Sequence, residues 1–192
     1  RGAFFRLFYA YDDKYLVQVN GRYDGSSRFP KDDRFAFFPT FSLGWRLSQE
    51  KFWKPIAHIV NDFKIRGSYG ALGNQVLLQG GNDMYYPYIS TYTTGEVGYL
   101  FSGEKQMGVY APGLVSDQLT WETVKQWDLG FNFSMFDSKL TGEFDYYVRT
   151  TEDMLTKSKT LPSILGVSEP QMNAADLRTS GWEVALTWKS AL

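Results

Sequence analysis

The chain has 192 residues, a formal net charge of -1, 18% aromatic residues and 21% charged ones. So many rings at so little net charge exclude a disordered segment, and the charge balance offers no basic face for nucleic acid. With no cysteine and one histidine, His58, disulfide scaffolds, zinc fingers, thiol catalysis and multi-histidine metal centres are excluded as well.

From the first residues the pattern has period two. Phe5, Leu7, Tyr9 and Tyr11 alternate with Arg6, Phe8 and Ala10. Such alternation is the mark of a strand with two unlike faces. Asp12, Asp13 and Lys14 then break it, and aspartate favours a turn by bonding its own backbone. Over residues 15–24, Tyr15, Val17, Val19, Gly21 and Tyr23 lie on one face and Leu16, Gln18, Asn20, Arg22 and Asp24 on the other. A longer connection covers 25–34. Residues 35–48 alternate again, with Phe35, Phe37, Phe41, Leu43 and Trp45 on the apolar side. Pro39 cannot donate to a ladder, which predicts a bulge or irregular pairing there. The segment 52–60 predicts one or two helical turns, with His58 capping or packing inside the connection.

The fourth strand runs over 63–70, with Lys64 and Arg66 on its polar face. Residues 72–120 read as a long loop rich in glycine and tyrosine. Strands five, six and seven cover 126–135, 139–149 and 182–189. Asp137–Ser138 makes a tight turn between the first two of these, and 152–180 a long loop between the last two. The expected fold is therefore all-β: seven antiparallel strands in sequence order, short turns at one end and long loops at the other.

Globular strands are usually about five or six residues long; most of these are about ten. Ten residues at ~3.4 Å each, tilted by ~45°, span ~24 Å, close to the ~25 Å apolar band of an outer-membrane barrel. No stretch is apolar enough for a membrane helix, but barrel strands cross with half their residues polar. Seven strands cannot close such a barrel, since single-chain bacterial barrels have an even number and at least eight. The chain is thus expected to be a fragment of one barrel domain. Val17, Phe41, Leu129, Phe144 and Leu186 are expected to face lipid, and Arg22, Arg66, Asp128, Glu143 and Arg149 to face the lumen. Trp45, Trp182 and Trp188 lie on the apolar face, where amphipathic rings anchor at headgroup level.

Six short motifs then fall in one order. They are Arg22-Tyr23-Asp24-Gly25-Ser26-Ser27-Arg28-Phe29, then Phe38-Pro39 with Trp45-Arg46-Leu47-Ser48, then Lys64-Ile65-Arg66-Gly67-Ser68-Tyr69-Gly70 with Gly73-Asn74-Gln75. Next come Trp121-Glu122 with Trp127-Asp128-Leu129-Gly130, then Asp145-Tyr146-Tyr147 with Thr150-Thr151 and Asp153-Met154-Leu155, and last Gly181-Trp182-Glu183. The ordered set resembles SusC-like TonB-dependent transporters, late in their barrel. The resemblance implies a 22-stranded outer-membrane barrel, with the plug and N-terminal regions outside this stretch. It also implies import of glycans or peptides energised through the TonB complex, which that N-terminal part engages. A SusD-like surface lipoprotein would serve as lid, and such transporter–lid pairs often dimerise. It implies no cofactor, and no enzyme.

Bland readings stand beside sharper ones. Glu122 and Asp153 are not held at the spacing that glycoside hydrolysis needs, so no catalytic residue is assigned. Asn82 and Asp83 are oxygen donors of a kind Ca²⁺ takes, but one pair makes no metal site. Tyr85, Tyr86, Tyr88 and Tyr92, with Trp121, are the candidates for contact with ligand or lid, because loops on a rigid frame carry specificity and aromatic faces suit both sugars and interfaces. Two rival functions share the strand pattern: a passive porin or adhesion barrel, and a soluble β-sandwich whose apolar faces bury against a second sheet.

Overall fold

The computed structural model describes residues 1–76, 78–79, 82–83, 85–116, 119–157, 162, 164 and 170–190. The side chains of Asn82 and Asp83, weighed above as Ca²⁺ donors, lie outside the described residues. Seven strands make one antiparallel sheet: β1 (Gly2–Tyr11), β2 (Tyr15–Gly25), β3 (Phe35–Arg46), β4 (Val60–Asn74), β9 (Glu122–Met135), β10 (Leu140–Lys157) and β11 (Gln171–Trp188). Neighbours in sequence are neighbours in the sheet. Between β4 and β9 the chain makes an excursion through two separate hairpins, β5 (Leu78–Gln79) with β6 (Asn82–Asp83), and β7 (Thr93–Phe101) with β8 (Glu104–Tyr110).

The register turns the two expected faces into continuous rows. Val17, Leu43, Gly67, Leu129, Tyr146 and Trp182 stand opposite one another across six strands. One step along, Leu16, Gly44, Arg66, Gly130, Asp145 and Glu183 form a row on the other face. A slip of one residue on any strand would exchange the faces. The apolar face is open: Leu129 is 55% exposed and Trp182 69%. Stacked rings run along it from Phe63 to Phe131 to Phe144, with centroids 5.6 and 5.4 Å apart.

The short-turn rim is stitched by its own backbone. Asp12 and Asp13 both have positive φ, and the Lys14 N–H closes the turn on the Tyr11 carbonyl at 3.0 Å. Phe136, Asp137 and Ser138 repeat this conformation, and the Asn61 side chain accepts from the Asp137 N–H at 2.8 Å. The third connection holds two 3₁₀ turns, Leu47–Gln49 and Lys51–Ile56. His58, expected to pack or cap there, is exposed instead.

Two expectations change at the long-loop end. The predicted 152–180 loop is mostly strand: β10 and β11 stay paired out to Lys157 opposite Gln171, with register shifts around Met154. The β2–β3 ladder runs through Pro39 opposite Gly21 without a shift, so the expected bulge is absent from that pairing. The irregularity lies on the other side of β3, whose ladder with β4 stops at Thr40 opposite Gly70. Proline has no N–H for β4, and beyond it the two strands part. Phe29, Phe38, Ala71, Leu119 and Trp121 form the buried hydrophobic cluster at this end, with Ala36 and Leu155 packed against it.

Candidate functional site

The polar face carries two neighbouring sets of hydrogen bonds that only the register could assemble. Arg66 donates through Nε to Asp145 Oδ1 at 3.2 Å, its Nη2 also contacts that carboxylate, and Nη2 lies 3.7 Å from Glu143. Partner and arginine are 79 residues apart in sequence. Gly130 lies between them in the row, and a Cβ there would collide with the Asp145 carboxylate and the Phe144 carbonyl. The missing side chain is what lets the pair close across β9. Asp128 accepts from Ser68 Oγ at 3.0 Å and from Gln126 Nε2 at 2.8 Å, and Gln126 in turn accepts from Arg149 Nε at 2.8 Å. Glu143 accepts from Asn132 Nδ2 at 3.2 Å. Four of the five polar-face candidates, Arg66, Asp128, Glu143 and Arg149, thus sit on one central stretch of β4, β9 and β10. Arg22 stands apart on β2, paired with Asp24 and well exposed.

These groups are bound to each other and none is set up for chemistry. No catalytic pair emerges from Glu122 and Asp153: Glu122 accepts from Asn74 Nδ2 at 3.3 Å, while Asp153 sits in the irregular stretch of β10 with positive φ. Among the described residues there is no cluster of three or more potential metal ligands.

The tyrosines sort into two kinds. Tyr88 is a strut: its hydroxyl donates to the Ser27 carbonyl at 3.4 Å and accepts from Arg34 Nη2 at 3.5 Å. Tyr85 lies under Arg28, whose guanidinium carbon is 5.0 Å from the ring centroid, while Arg28 Nη1 donates to the Gln75 carbonyl. Tyr86, with positive φ, meets Tyr88 edge-on at 6.4 Å. Tyr85, Tyr86 and Tyr92 keep exposed rings, Tyr92 at 72%. Trp121 is placed differently from the expectation. It is only 6% exposed, with Phe29 and Phe38 at 4.9 and 5.6 Å between centroids. The large rings bury against each other, so Trp121 packs instead of offering its face.

Sequence reasoning missed the residues that hold this cluster. Ser27, Arg28, Phe29 and Arg34 belong to the β2–β3 connection and fasten the long excursion to the sheet. Phe29 is fully buried, and the Ser26 hydroxyl accepts from the Arg28 N–H at 3.2 Å, shaping the turn that presents it. Their signal was the motif around Asp24–Phe29, which marked the family without assigning roles. Asn173 on β11 was missed too; its amide exchanges two hydrogen bonds of 3.0 Å with the Thr120 backbone and ties the start of β9 to β11.

Comparison with known proteins gives this geometry a family. A model of the TonB dependent receptor-like β-barrel matches residues 1–192. The chain belongs to the TonB-dependent receptor β-barrel family. TonB-dependent receptor P3 of Formosa agariphila is 37% identical over 189 residues, covering 96% of this chain and 17% of that receptor. TonB-dependent receptor SusC of Bacteroides thetaiotaomicron is 31% identical over 186 residues, covering 97% of this chain and 18% of SusC. Among solved structures, the RagAB peptide importer in its 'closed-closed' state superposes on the whole chain with a TM-score of 0.84 and 25% identity, using 20% of that chain. Its 'open-open' state covers 96% of this chain and 19% of that chain, with a TM-score of 0.79 and 26% identity. The SusC-like resemblance read from the motifs is borne out. The chain spans about a fifth of the length of these relatives and is a partial barrel wall of the outer membrane. The family is one of receptors and transporters, not enzymes.

Proposed function

We propose that this stretch is a wall segment, with its surface loops, of an importer energised through TonB that takes up oligosaccharides or peptides beneath a SusD-like lipoprotein lid. The apolar rows face lipid. The polar rows face the lumen, where paired charges of both signs offer no single-signed field to select an ionic substrate. Specificity then falls to the 72–120 excursion. The observation that carries this reading is the division among its tyrosines: Tyr88 fixes the loop to the β2–β3 connection, while Tyr85, Tyr86 and Tyr92 present open rings. Rigid rings with polar tips bind well at low entropic cost, and they suit a lid surface, a sugar or a peptide. The names of the relatives support the assignment at the level of the class, since RagAB is described as a peptide importer.

The test is a deletion of residues 80–92 in the parent transporter. Uptake or lid co-purification should be lost while the barrel still folds in the outer membrane. Normal uptake with the lid still bound would sink the loop assignment. Uptake that persists after the TonB gene is removed would instead favour a passive pore.

A further inference from the structure

We infer that the connection between β3 and β4 is an interfacial anchor that lies on the phospholipid headgroups at the short-turn rim. Its two lysines contact lipid phosphates, and its apolar sides enter the acyl boundary. This rests on the lipid-facing reading of the apolar wall and is independent of what the barrel carries.

The segment Lys51–Ile56 is a 3₁₀ turn, and the i→i+3 bonds continue through Ala57 to Lys54 at 3.4 Å and Ile59 to Ile56 at 3.0 Å. Side chains three apart eclipse in such a turn, so the period is three. Lys51 and Lys54 fall on one side. Trp53, Ile56 and Ile59 fall on the second, and Phe52 and Pro55 with His58 on the third. One side is therefore wholly apolar, one carries Phe52 and Pro55 with His58 at its end, and one is cationic. Phe52 is 61% exposed, and Ile56 and Ile59 are exposed as well. In water that arrangement leaves the rings and aliphatic chains unburied within their own chain. An amphipathic segment with lysines on its polar side is the form that lies in a membrane interface.

Its position fixes which surface it meets. Glu50, just before the turn, accepts from the Tyr15 hydroxyl at 2.7 Å and from Trp45 Nε1 at 3.3 Å. Both rings project from the apolar face at the short-turn end of β2 and β3, and Tyr11, Tyr15 and Trp45 stack in series at 6.4 and 6.3 Å. Trp53 stacks on Phe63 of the same face at 5.4 Å, and its Nε1 donates to the Val60 carbonyl at 3.0 Å. The turn is thus folded out over the apolar wall, at the level of a ring belt whose chemistry belongs to the headgroup region. It continues the wall surface, and its lysines complement phosphate. A protein partner on this side would have to displace lipid from the same wall.

The experiment uses the full-length parent transporter, with other cysteines replaced, folded into phosphatidylcholine vesicles with or without phosphatidylglycerol. A fluorophore is placed at Phe52→Cys and, as a reference, at Leu129→Cys in mid-wall. Brominated lipids then serve as quenchers. Both sites should be quenched. At Phe52→Cys, brominated phosphatidylglycerol should be favoured over brominated phosphatidylcholine, and Lys51→Gln with Lys54→Gln should cut that preference by about fivefold per lysine. These lysines are exposed, so the pair should fold normally, which heat-modifiable gel mobility checks. Quenching at Leu129→Cys without quenching at Phe52→Cys overturns the anchor and leaves the wall reading intact. Quenching at Phe52→Cys with no preference for the anionic lipid overturns the role given to the lysines. Absence of quenching at both sites overturns the lipid-facing wall.

Discussion

The two rims of this sheet solve the same problem in opposite ways. Along the wall, from Val17 and Leu43 to Trp182 and Leu186, large apolar side chains stand exposed on one face. At the long-loop end, Phe29, Phe38, Leu119 and Trp121 are buried in a small core. On the proposed reading of the faces, the difference is the solvent. A side chain in hydrocarbon needs no burial, whereas strand ends and loops that extend into water recover the hydrophobic effect only by packing on each other. The same residue type, tryptophan, is 69% exposed at Trp182 and 6% exposed at Trp121.

That contrast can be broken at either end. The largest effect is expected inside the small core. Phe29→Ala should destabilise the loop assembly by ~3–5 kcal/mol, the usual cost of emptying a buried aromatic site. Limited proteolysis of the parent transporter should then cut within 72–120, while heat-modifiable mobility still reports a folded wall. On the wall, Leu129→Arg should cost ~2–4 kcal/mol of folding into vesicles, the cost of a cation near the bilayer midplane. Asn132→Arg, three residues along and on the polar face, should be tolerated, and equal losses would refute the assignment of faces. Smaller still, Gly130→Ala should cost ~1–3 kcal/mol through overpacking, because the new methyl group displaces Asp145 from Arg66. Denaturant titration against Gly113→Ala, where a Cβ meets nothing, provides the comparison.

The smallest effect belongs to the short-turn rim. The Glu50 carboxyl is held below its usual value of 4.5 by the hydrogen bond from Tyr15, then by that from Trp45. A lowered native value means that the carboxylate adds stability above the ordinary glutamate range and loses it as pH falls through the native value. Glu50→Gln should therefore weaken the rim at neutral pH and make no difference once the wild-type carboxyl is protonated. A gap between the two proteins that persists in acid would show that the hydrogen bonds, not the charge, carry the effect.

The strand order and the two faces were legible because period two survives wherever the two faces of a strand meet unlike surroundings. Strand ends were not, and residues 150–156 and 172–180 show why. Thr150, Thr151, Glu152 and Asp153 on β10, and Arg178, Thr179 and Ser180 on β11, are all polar, so no alternation marks them as strand. Their pairing rests on backbone hydrogen bonds and on scattered side-chain ones, such as the Asp153 N–H donating to Asp176 Oδ1 at 3.1 Å, and neither leaves a period in the sequence. At the site, the alternation placed Arg66 and Asp145 on one face, but their contact needed the register of β4, β9 and β10. Trp121 was misplaced for a related reason: a ring at the end of a long loop reads as a candidate for ligand or lid contact until Phe29, about ninety residues earlier, is seen to cover it.

The ladder between β4 and β9 runs without a shift from Asp62 opposite Ser134 to Asn74 opposite Glu122, whatever the chain does between those last two residues. For the wall, the excursion is a hairpin loop with a very large tip. Closing a flexible loop of twice the length costs only ~0.6 kcal/mol more. Insertion, deletion or wholesale exchange of that tip is therefore nearly free for the sheet, provided something replaces the small core that caps it. One wall can host many tips, so a single surface segment can be rewritten while the strands beneath it stay untouched.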